Sequence, residues 1–332
     1  MSRLFRHVEP GRTIVFGPGA LAASTDLLGA GYTLLSTARA LASQPDLARG
    51  AARTFEVPAG PVDEVAARLR ATVKGERVVA FGGGRVIDVA KALAAADPPR
   101  DVIAIPTSLS GAEMTGVHKH ASGVDPRTPR VRAAVVINDP ELSASQPTAD
   151  LAASTGNALA HAVTAIYSNR ATPFSAAVGR EAVARLERSW ASTEVDTEEV
   201  ALGALLCGWA VDHSGLGPHH ALAQTAVATG HIPHAQANAA LLPQTIAALR
   251  TRRTDAPPEL TAAERLASRL QATASATLAP LVEDDATLHT AVATAADRPE
   301  MTRFDPPLTA DEIEAIYRAA GRGSAQQSIR GI

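Results

Sequence analysis

The sequence predicts two domains of different fold class: an α/β domain with a parallel, Rossmann-like sheet over residues 1–146, and an all-α domain over residues 147–332. Three observations support this prediction. Short apolar, partly β-branched runs alternate with Ala-rich helical runs in the first part, which is typical of strands joined by crossover helices. The second part is helical in pattern nearly throughout. Proline and glycine break that second part into separate segments.

The predicted strands are apolar runs that end at Gly, Thr or Ser. Four of them cover residues 12–17, 32–37, 77–83 and 101–108, and a fifth lies in "RAAVVINDPEL" and stops at Asp139. Ala-rich runs at residues 61–73 and 86–95 are expected to form helices between them. This alternation predicts a parallel sheet that is covered by helices on both faces.

The composition argues against several classes of protein. With 46% hydrophobic residues among 332, the chain can bury a sizeable core. A net charge of -3, the lack of a basic block and only 3% aromatic residues argue against nucleic-acid binding. The single Cys207 excludes an intramolecular disulfide and fits a reducing compartment. The N-terminal segment lacks the apolar core of a signal peptide, and no uncharged apolar run reaches the ~18 residues of a membrane helix. We therefore expect a cytoplasmic protein with a small-molecule substrate and no nucleic-acid or membrane partner.

Three consecutive glycines at residues 82–84 follow a predicted strand and precede a predicted helix. The backbone N–H groups of such a loop can hold a diphosphate, because Gly83 and Gly84 have no Cβ to block close approach. A tight turn without a ligand is the alternative. The next predicted strand ends in the hydroxyl-rich "IPTSLSGAE", which contains Thr107 and Ser108. Two adjacent strand ends of this kind favour a nucleotide at the carboxyl edge of a parallel sheet.

Asp88 and Lys91 lie on the first turns of the helix that follows the glycines. We expect them to orient the cofactor or its loop, with a solvated helix face as the alternative. The second predicted strand ends at Ser36 and Thr37, and no acidic residue follows it to hold a ribose 2′-hydroxyl. These two hydroxyls, with Arg39, could instead accept a 2′-phosphate, so both NADH and NADPH stay open as cofactors. An exposed arginine on a helix is the alternative interpretation of Arg39.

Five of the ten histidines fall between His213 and His234. Together with His161 in the stretch "GNALAHAVTAIYS", they offer His161, His220 and His234 as candidate functional groups. Three histidines with a fourth oxygen ligand would suit Zn²⁺ or Fe²⁺. The group four residues before His161 is Asn157, however, and its carboxamide is neutral. Hydrogen-bonding histidines that line a polar cleft are therefore favoured over a bound metal.

These motifs together resemble the iron-containing alcohol dehydrogenase superfamily, the group related to dehydroquinate synthase and glycerol dehydrogenase. "FGGGRVIDVAKALA" is similar to the family's glycine loop, with Arg85 at the position where Ser is usual. "NALAHAVTAIY" is most similar to the maleylacetate reductases' "NAIAHAVEALY", in which Asn already replaces the metal enzymes' Asp. "IPHAQANAALLP" and the C-terminal "ADRPEMTRFDPPLTADEIEAIYRAAGRG" also match family motifs, so the resemblance covers nearly the whole chain.

The resemblance implies a two-domain reductase with its active site in the cleft between the halves. It implies NADH or NADPH bound across residues 82–84 and 107–110, a reaction without metal, and a homodimer. The reductases of this branch reduce an unsaturated oxo-diacid, with hydride from the nicotinamide. A cleft histidine is then a reasonable proton donor.

One segment departs from the branch. The reductases carry H-H-K-L-C-H, whereas this chain has His219, His220, Ala221, Leu222, Ala223 and Gln224 in that order. Glutamine can orient a substrate by hydrogen bonds but cannot exchange a proton near neutral pH. Loss of the lysine weakens the binding of a dicarboxylate. We therefore predict a reductase of a maleylacetate-like acid that has been altered for another substrate in a specialised biosynthetic pathway.

The candidate catalytic residues are thus His220, His234, His161, Asn157 and Gln224. Three alternatives stay open at this point. The first is a metal-dependent alcohol dehydrogenase that uses His161, His220 and His234. The second is a non-redox lyase or cyclase on the same fold, and the third is a pseudoenzyme that acts as a binding partner.

Overall fold

The computed structural model describes residues 4–252 and 258–322. The chain divides into two compact units, one ending at Ser145 and the other starting at Gln146. Within the described ranges, no helix combines the length and apolarity needed to cross a membrane.

The first unit contains one sheet of seven strands among its described residues. The strands are β1 (Phe5–Glu9), β2 (Arg12–Phe16), β3 (Thr33–Ser36), β4 (Arg53–Glu56), β5 (Arg77–Gly82), β6 (Asp101–Pro106) and β7 (Val135–Asn138). They are arranged in the order β1-β2-β7-β6-β5-β3-β4. All neighbouring pairs are parallel except β1 and β2. The predicted parallel α/β sheet is therefore confirmed, with an antiparallel strand added at one edge.

The α-helices that the structure describes in this unit are α1 (Thr25–Leu28), α2 (Ala38–Ser43), α3 (Pro45–Gly50), α4 (Val62–Arg70), α5 (Gly84–Ala96) and α6 (Pro140–Ser143), with a short 3-10 helix at Ala22–Ser24. Five of these α-helices lie between its strands, and the sixth, α6, follows the last strand β7. The predicted helix at residues 86–95 begins two residues earlier, because Gly83 occupies the N-cap position. Two strands, β1 and β4, were not predicted. Most of their residues are exposed, so neither has the apolar run that identifies a buried strand.

The central strands β5 and β6 are buried after their first residue. Continuous apolar runs of this kind are expected in a parallel sheet that is covered on both faces. The register pairs Ser36 with Phe81, and Gly82 with Pro106. The carboxyl ends of β3, β5 and β6 therefore lie side by side at one edge of the sheet.

The second unit consists of helices throughout its described residues. They are α7 (Thr148–Tyr167), α8 (Pro173–Ser189), α9 (Thr197–Ser214), α10 (Pro218–Gly230), α11 (His234–Thr251), α12 (Pro258–Thr273), α13 (Ala279–Val282), α14 (Asp285–Ala296) and α15 (Ala310–Gly321), with a 3-10 helix at Pro299–Arg303. The predicted all-α fold of this part is confirmed.

Helix α7 forms the core of the second unit. Its residues 151–167 are buried without interruption, and it packs against α8, α9, α11 and α12. A helix that is buried on all sides is expected to be apolar all round. Polar side chains on such a helix need partners inside the protein, because burying an unpaired polar group costs free energy. Asn157 and His161 are two such side chains.

Candidate active site

A buried pair of histidines joins helices α7 and α10. At the N-cap of α10, a Cβ on Gly217 would lie 2.8 Å from Cγ2 of Thr164, so α10 starts directly against α7. This close approach brings Nε2 of His161 to 2.9 Å from Nε2 of His220. The two rings stack with their centroids 4.5 Å apart. The structure therefore joins two of the predicted catalytic residues by a hydrogen bond.

The histidine pair is neutral near pH 7. Burial, with a smaller contribution from the charges that His219 and His234 can carry, lowers the pKa of His161 to about 3. Burial, followed by the neighbouring histidines, also lowers the pKa of His220 well below its usual range. In a neutral pair, one ring donates its Nε2–H and the other accepts with a bare Nε2. The accepting ring must carry its proton on Nδ1, so the pair always has one further N–H to donate.

Asn157 lies one turn before His161 on α7 and is buried. In the described ranges, no group of three or more His, Cys, Asp or Glu side chains is arranged to hold a metal ion. His161, His220 and His234, the set expected if a metal is bound, do not form such a group. Divalent iron and zinc sites combine imidazole with anionic or open ligand positions. The donors at Asn157, His161 and His220 are all neutral, so none of the three supplies an anionic ligand.

His219 was not predicted as a functional residue. The structure shows that it is held against helix α11 by two hydrogen bonds. Its Nε2 lies 3.0 Å from Oδ1 of Asn238, and its Nδ1 lies 3.0 Å from Oγ1 of Thr245. The Asn238 amide donates to the carbonyl of His234 at 2.8 Å, so Oδ1 must accept from the Nε2–H of His219. Burial lowers the pKa of His219 to about 4. His219 is therefore a neutral residue that positions α11. In the sequence, the polar Asn238 four residues after His234 is the feature that could have indicated a buried partner for His219.

His234 is exposed at the first residue of α11. It is close enough to His161, His219 and His220 for its charge to lower the pKa of each. The structure thus places it beside the histidine pair.

Gln224 lies one turn after His220 on the same face of α10. Its Oε1 accepts a hydrogen bond from Nη2 of Arg298, which immediately precedes the 3-10 helix. Arg298 was not predicted as a functional residue, although it stands in a segment that matches a family motif. Gln224 is therefore held beside a guanidinium group.

In the first unit, the predicted phosphate loop lies between β5 and α5. A Cβ on Gly84 would lie 2.9 Å from the Cβ and Oγ of Ser110, and a Cβ on Gly83 would lie 3.3 Å from Oγ of Ser108. The N–H of Thr107 donates to the carbonyl of Gly82 at 3.0 Å, which ties the two loops together. Gly83 caps α5 without a side-chain hydrogen bond, so the N–H groups of Gly84 and Arg85, the first two residues of the helix, lack an intrahelical acceptor. This glycine cradle fits the diphosphate of a dinucleotide, with Arg85 exposed on the first turn.

The two hydroxyls predicted to bind a 2′-phosphate have partners within the protein. Ser36 is buried, and its Oγ donates to the carbonyl of Phe81 at 2.8 Å. Oγ1 of Thr37 accepts the N–H of Ala40 and caps α2. Ser36 thus stabilises the sheet edge, which leaves Thr37 and the exposed Arg39 as the residues of this group that can face a ligand.

Lys91 holds the loop after β6 and does not face the glycine cradle. Its fully buried Nζ donates to the carbonyls of Ala112, Thr115 and Val117 at 2.8, 3.0 and 2.9 Å. Asp88 pairs with the same Nζ at 2.8 Å. Of the two predicted roles, orienting the loop is the one that these contacts support. The donors of Lys91 are used within the protein, so a direct phosphate contact is not supported.

Glu113 lies in the same loop, and its burial is expected to make the free energy of unfolding depend on pH. It is 1% exposed, its Oε2 bonds to no other described residue, and burial raises its pKa from 4.5 to about 7 against the charges of Lys91 and Arg12. The folded state therefore keeps a proton that the unfolded chain releases. The contribution of Glu113 to the free energy of unfolding is fully present below pH 4.5 and is lost as the pH rises through about 7.

Glu113→Gln should remove this loss. The variant should gain stability relative to the native protein between pH 4.5 and 8, by at most ~3.5 kcal/mol at about 1.4 kcal/mol per pKa unit. Urea unfolding at a series of pH values measures the difference. Glu76→Gln, at an exposed position of the same unit, is the matched control. A parallel pH dependence in the native protein and Glu113→Gln would contradict the assignment.

Comparison with known proteins identifies the class. Residues 151–280 match the Fe-containing alcohol dehydrogenase family, C-terminal part. A maleylacetate reductase from Delftia acidovorans is 35% identical over 203 residues, which are 58% of this chain and 57% of that protein. The chain thus spans little more than half the length of that relative. A maleylacetate reductase from Pseudomonas aeruginosa is 31% identical over 265 residues, covering 73% of this chain and 75% of that protein. The crystal structure of maleylacetate reductase from Agrobacterium tumefaciens superposes with a TM-score of 0.77 and 28% identity, over 98% of this chain and 99% of that one.

The parallel α/β unit followed by an all-α unit is thus a fold that this chain shares with a maleylacetate reductase of known structure. The resemblance seen in the sequence is thereby confirmed. The chain belongs to the Fe-containing alcohol dehydrogenase family of oxidoreductases, in the branch of the maleylacetate reductases.

Proposed function

We propose that the protein is an NADH- or NADPH-dependent reductase of an oxo or unsaturated carboxylic acid, that it works without a bound metal, and that its substrate differs from maleylacetate. The observation that carries this proposal is the buried, neutral pair of His161 and His220 beside the carboxamide of Asn157. Membership of the family favours a reduction by hydride transfer, and the glycine cradle supports a dinucleotide cofactor.

The histidine pair can supply a proton without forming a charged imidazole. Bound nicotinamide would supply the hydride, and negative charge then develops on the carbonyl oxygen of the substrate. A neutral imidazole N–H stabilises such an oxygen by hydrogen bonding. As one ring gives up its Nδ1 proton, its Nε2 takes the Nε2 proton of the other ring across the 2.9 Å hydrogen bond. In the same step the second ring takes up one proton from solvent at Nδ1, so neither ring becomes charged.

The same residues support a metal-independent reaction. A bound divalent ion would lower the pKa of a coordinated water or polarise the carbonyl directly. Here the carboxamide of Asn157 replaces a carboxylate, and the two imidazoles bond to one another. Low pKa values keep both rings in the N–H-donating neutral form across the neutral range. The electrophile that the reaction needs is thus available from the protein itself.

The cofactor and metal predictions are tested on protein purified without chelators. We expect binding of NADH or NADPH in a fluorescence titration, and well under one equivalent of iron or zinc by metal analysis. Gly84→Ala should weaken cofactor binding by about tenfold or more, or ~1.4 kcal/mol, because its Cβ would lie 2.9 Å from the side chain of Ser110 and push the two loops apart. Gly116→Ala is the matched control, since its Cβ would meet Arg132 at an ordinary 3.5 Å.

The outcomes separate the parts of the proposal. One equivalent of tightly bound iron or zinc would overturn the metal-free reaction and favour a metal-dependent alcohol dehydrogenase. No binding of either nucleotide at millimolar concentration would overturn hydride transfer, and would leave the lyase, cyclase or binding-protein alternatives.

A further inference from the structure

We propose that Arg298 and Gln224 form a carboxylate-binding site, one helical turn from His220, which selects short-chain oxo acids as substrates. The inference rests on the proposed function, because it assigns the substrate class of the reductase. Gln224 belongs to the segment that departs from the resemblance to the branch, and Arg298 lies outside that segment.

Gln224 is placed to bind the same molecule that contacts His220. The two residues are four apart on α10 and share a face, with a rise of ~6 Å between their backbones. Because Oε1 of Gln224 accepts from Arg298, its Nε2 points away from the guanidinium with its N–H donors open. A substrate whose reacting carbonyl lies at His220 can therefore place a group a few bonds away at Gln224.

Arg298 presents an open edge of its guanidinium beside Gln224. Its Nε and Nη2 contact the carboxylate of Glu300 at 3.3 Å, and Nη2 also donates to Gln224. No described residue bonds to Nη1, and the side chain is 30% exposed. A planar guanidinium with a free N–H edge binds carboxylates with two parallel hydrogen bonds. Nη1 of Arg298 and Nε2 of Gln224 together supply that kind of donor set.

The surrounding elements hold this donor set in place. Tyr317 on α15 is fully buried, and its hydroxyl donates to the carbonyl of Leu222 on α10 at 3.0 Å. Arg298 is near enough for its charge to oppose the rise that burial causes in the pKa of Tyr317. The 3-10 helix Pro299–Arg303 also packs against α10. The guanidinium is therefore fixed relative to the turn that carries His220 and Gln224.

The position of the cation also bears on substrate choice. Arg298 places one positive charge beside Gln224, and the carboxylate of Glu300 lies 3.3 Å from its Nη2. Glu300 compensates part of that charge, so the site favours one carboxylate over two. The structure thus assigns a monoanionic oxo acid, with its carboxylate a few bonds from the reacting carbonyl.

Calorimetric binding of small acids to the full chain tests this assignment. With butyrate as the anionic probe and butyramide as its neutral counterpart, we expect only butyrate to bind. Arg298→Met should weaken butyrate binding at least tenfold, and Arg298→Lys should restore part of it. Glu300→Gln should strengthen it. Arg318→Met is the matched control, because Arg318 is another ion-paired arginine of the same unit, on α15.

Urea unfolding of each variant, and Gln224→Ala as a second variant, keep the test valid if Arg298→Met does not fold. Equal binding of butyrate and butyramide, or unchanged butyrate binding in both Arg298→Lys and Gln224→Ala, would overturn the carboxylate site. Butyrate binding that depends on Arg298 in a protein that binds neither NADH nor NADPH would uphold the site and overturn the reductase. Nucleotide-dependent reduction of neutral carbonyl compounds that is unaffected by Arg298→Met would uphold the reductase and overturn the carboxylate site.

Discussion

Replacing His220 with alanine is expected to lower turnover by about 10²–10⁴-fold, the usual contribution of a positioned proton donor. In the reaction that we propose, His220 is one half of the pair that stabilises the developing oxyanion, and His161 alone cannot exchange the proton across the 2.9 Å hydrogen bond. Nucleotide binding should be nearly unchanged. The measurement is the rate of NADPH or NADH oxidation with maleylacetate and with short-chain oxo acids, at saturating nucleotide.

The His220 prediction needs a control for folding. Removing one ring leaves Nε2 of His161 buried without its partner, which costs about 1–3 kcal/mol, so urea unfolding is measured in parallel. His220→Asn keeps an N–H donor and should retain stability better than His220→Ala while still losing turnover. His213→Ala, at an exposed histidine of the same unit, should leave turnover unchanged. Native turnover in His220→Ala would remove His220 from the reaction.

The fold could be predicted from the sequence wherever an element is buried, because a buried element is a continuous run of apolar residues. Strands β2, β5 and β6 were predicted to within two residues of their observed ends, because each is a nearly continuous buried run. The helical pattern after residue 147 identified the all-α part for the same reason. The edge strand β1 could not be found in this way, since four of its five residues are exposed, including Phe5 and Val8, and it has no continuous buried apolar run.

The sequence identified several residues of the candidate site but not the hydrogen bonds that join them. His161 and His220 were both candidates, yet their hydrogen bond depends on the close approach of Gly217 to Thr164, 53 residues apart. The contact of Gln224 with Arg298 spans 74 residues and depends on how the 3-10 helix packs on α10. Ser36 shows the converse problem, because a hydroxyl at a strand end can face a ligand or a backbone carbonyl, and only tertiary structure decides which.

Lys91→Met is expected to lower the free energy of unfolding by about 3–5 kcal/mol, the usual cost of breaking a buried ion pair by removing one partner. Methionine fills a similar volume, so the loss is electrostatic. It leaves the carbonyls of Ala112, Thr115 and Val117 and the carboxylate of Asp88 without the ammonium that they share. Urea unfolding measures the change, and Lys74→Met, at an exposed lysine of the same unit, is the control.

A double variant separates the unpaired charge from the loosened loop. In Lys91→Met with Asp88→Asn, the stranded carboxylate is gone, so part of the lost stability should return while the loop carbonyls stay unsatisfied. The loop between Thr107 and Ser110 would still be loosened, and with it the contact between Ser110 and Gly84 that shapes the cradle. Nucleotide affinity should therefore stay low in the double variant even as its stability recovers. Recovery of both together would mean that the ion pair, and not the carbonyl contacts of Lys91, fixes the loop.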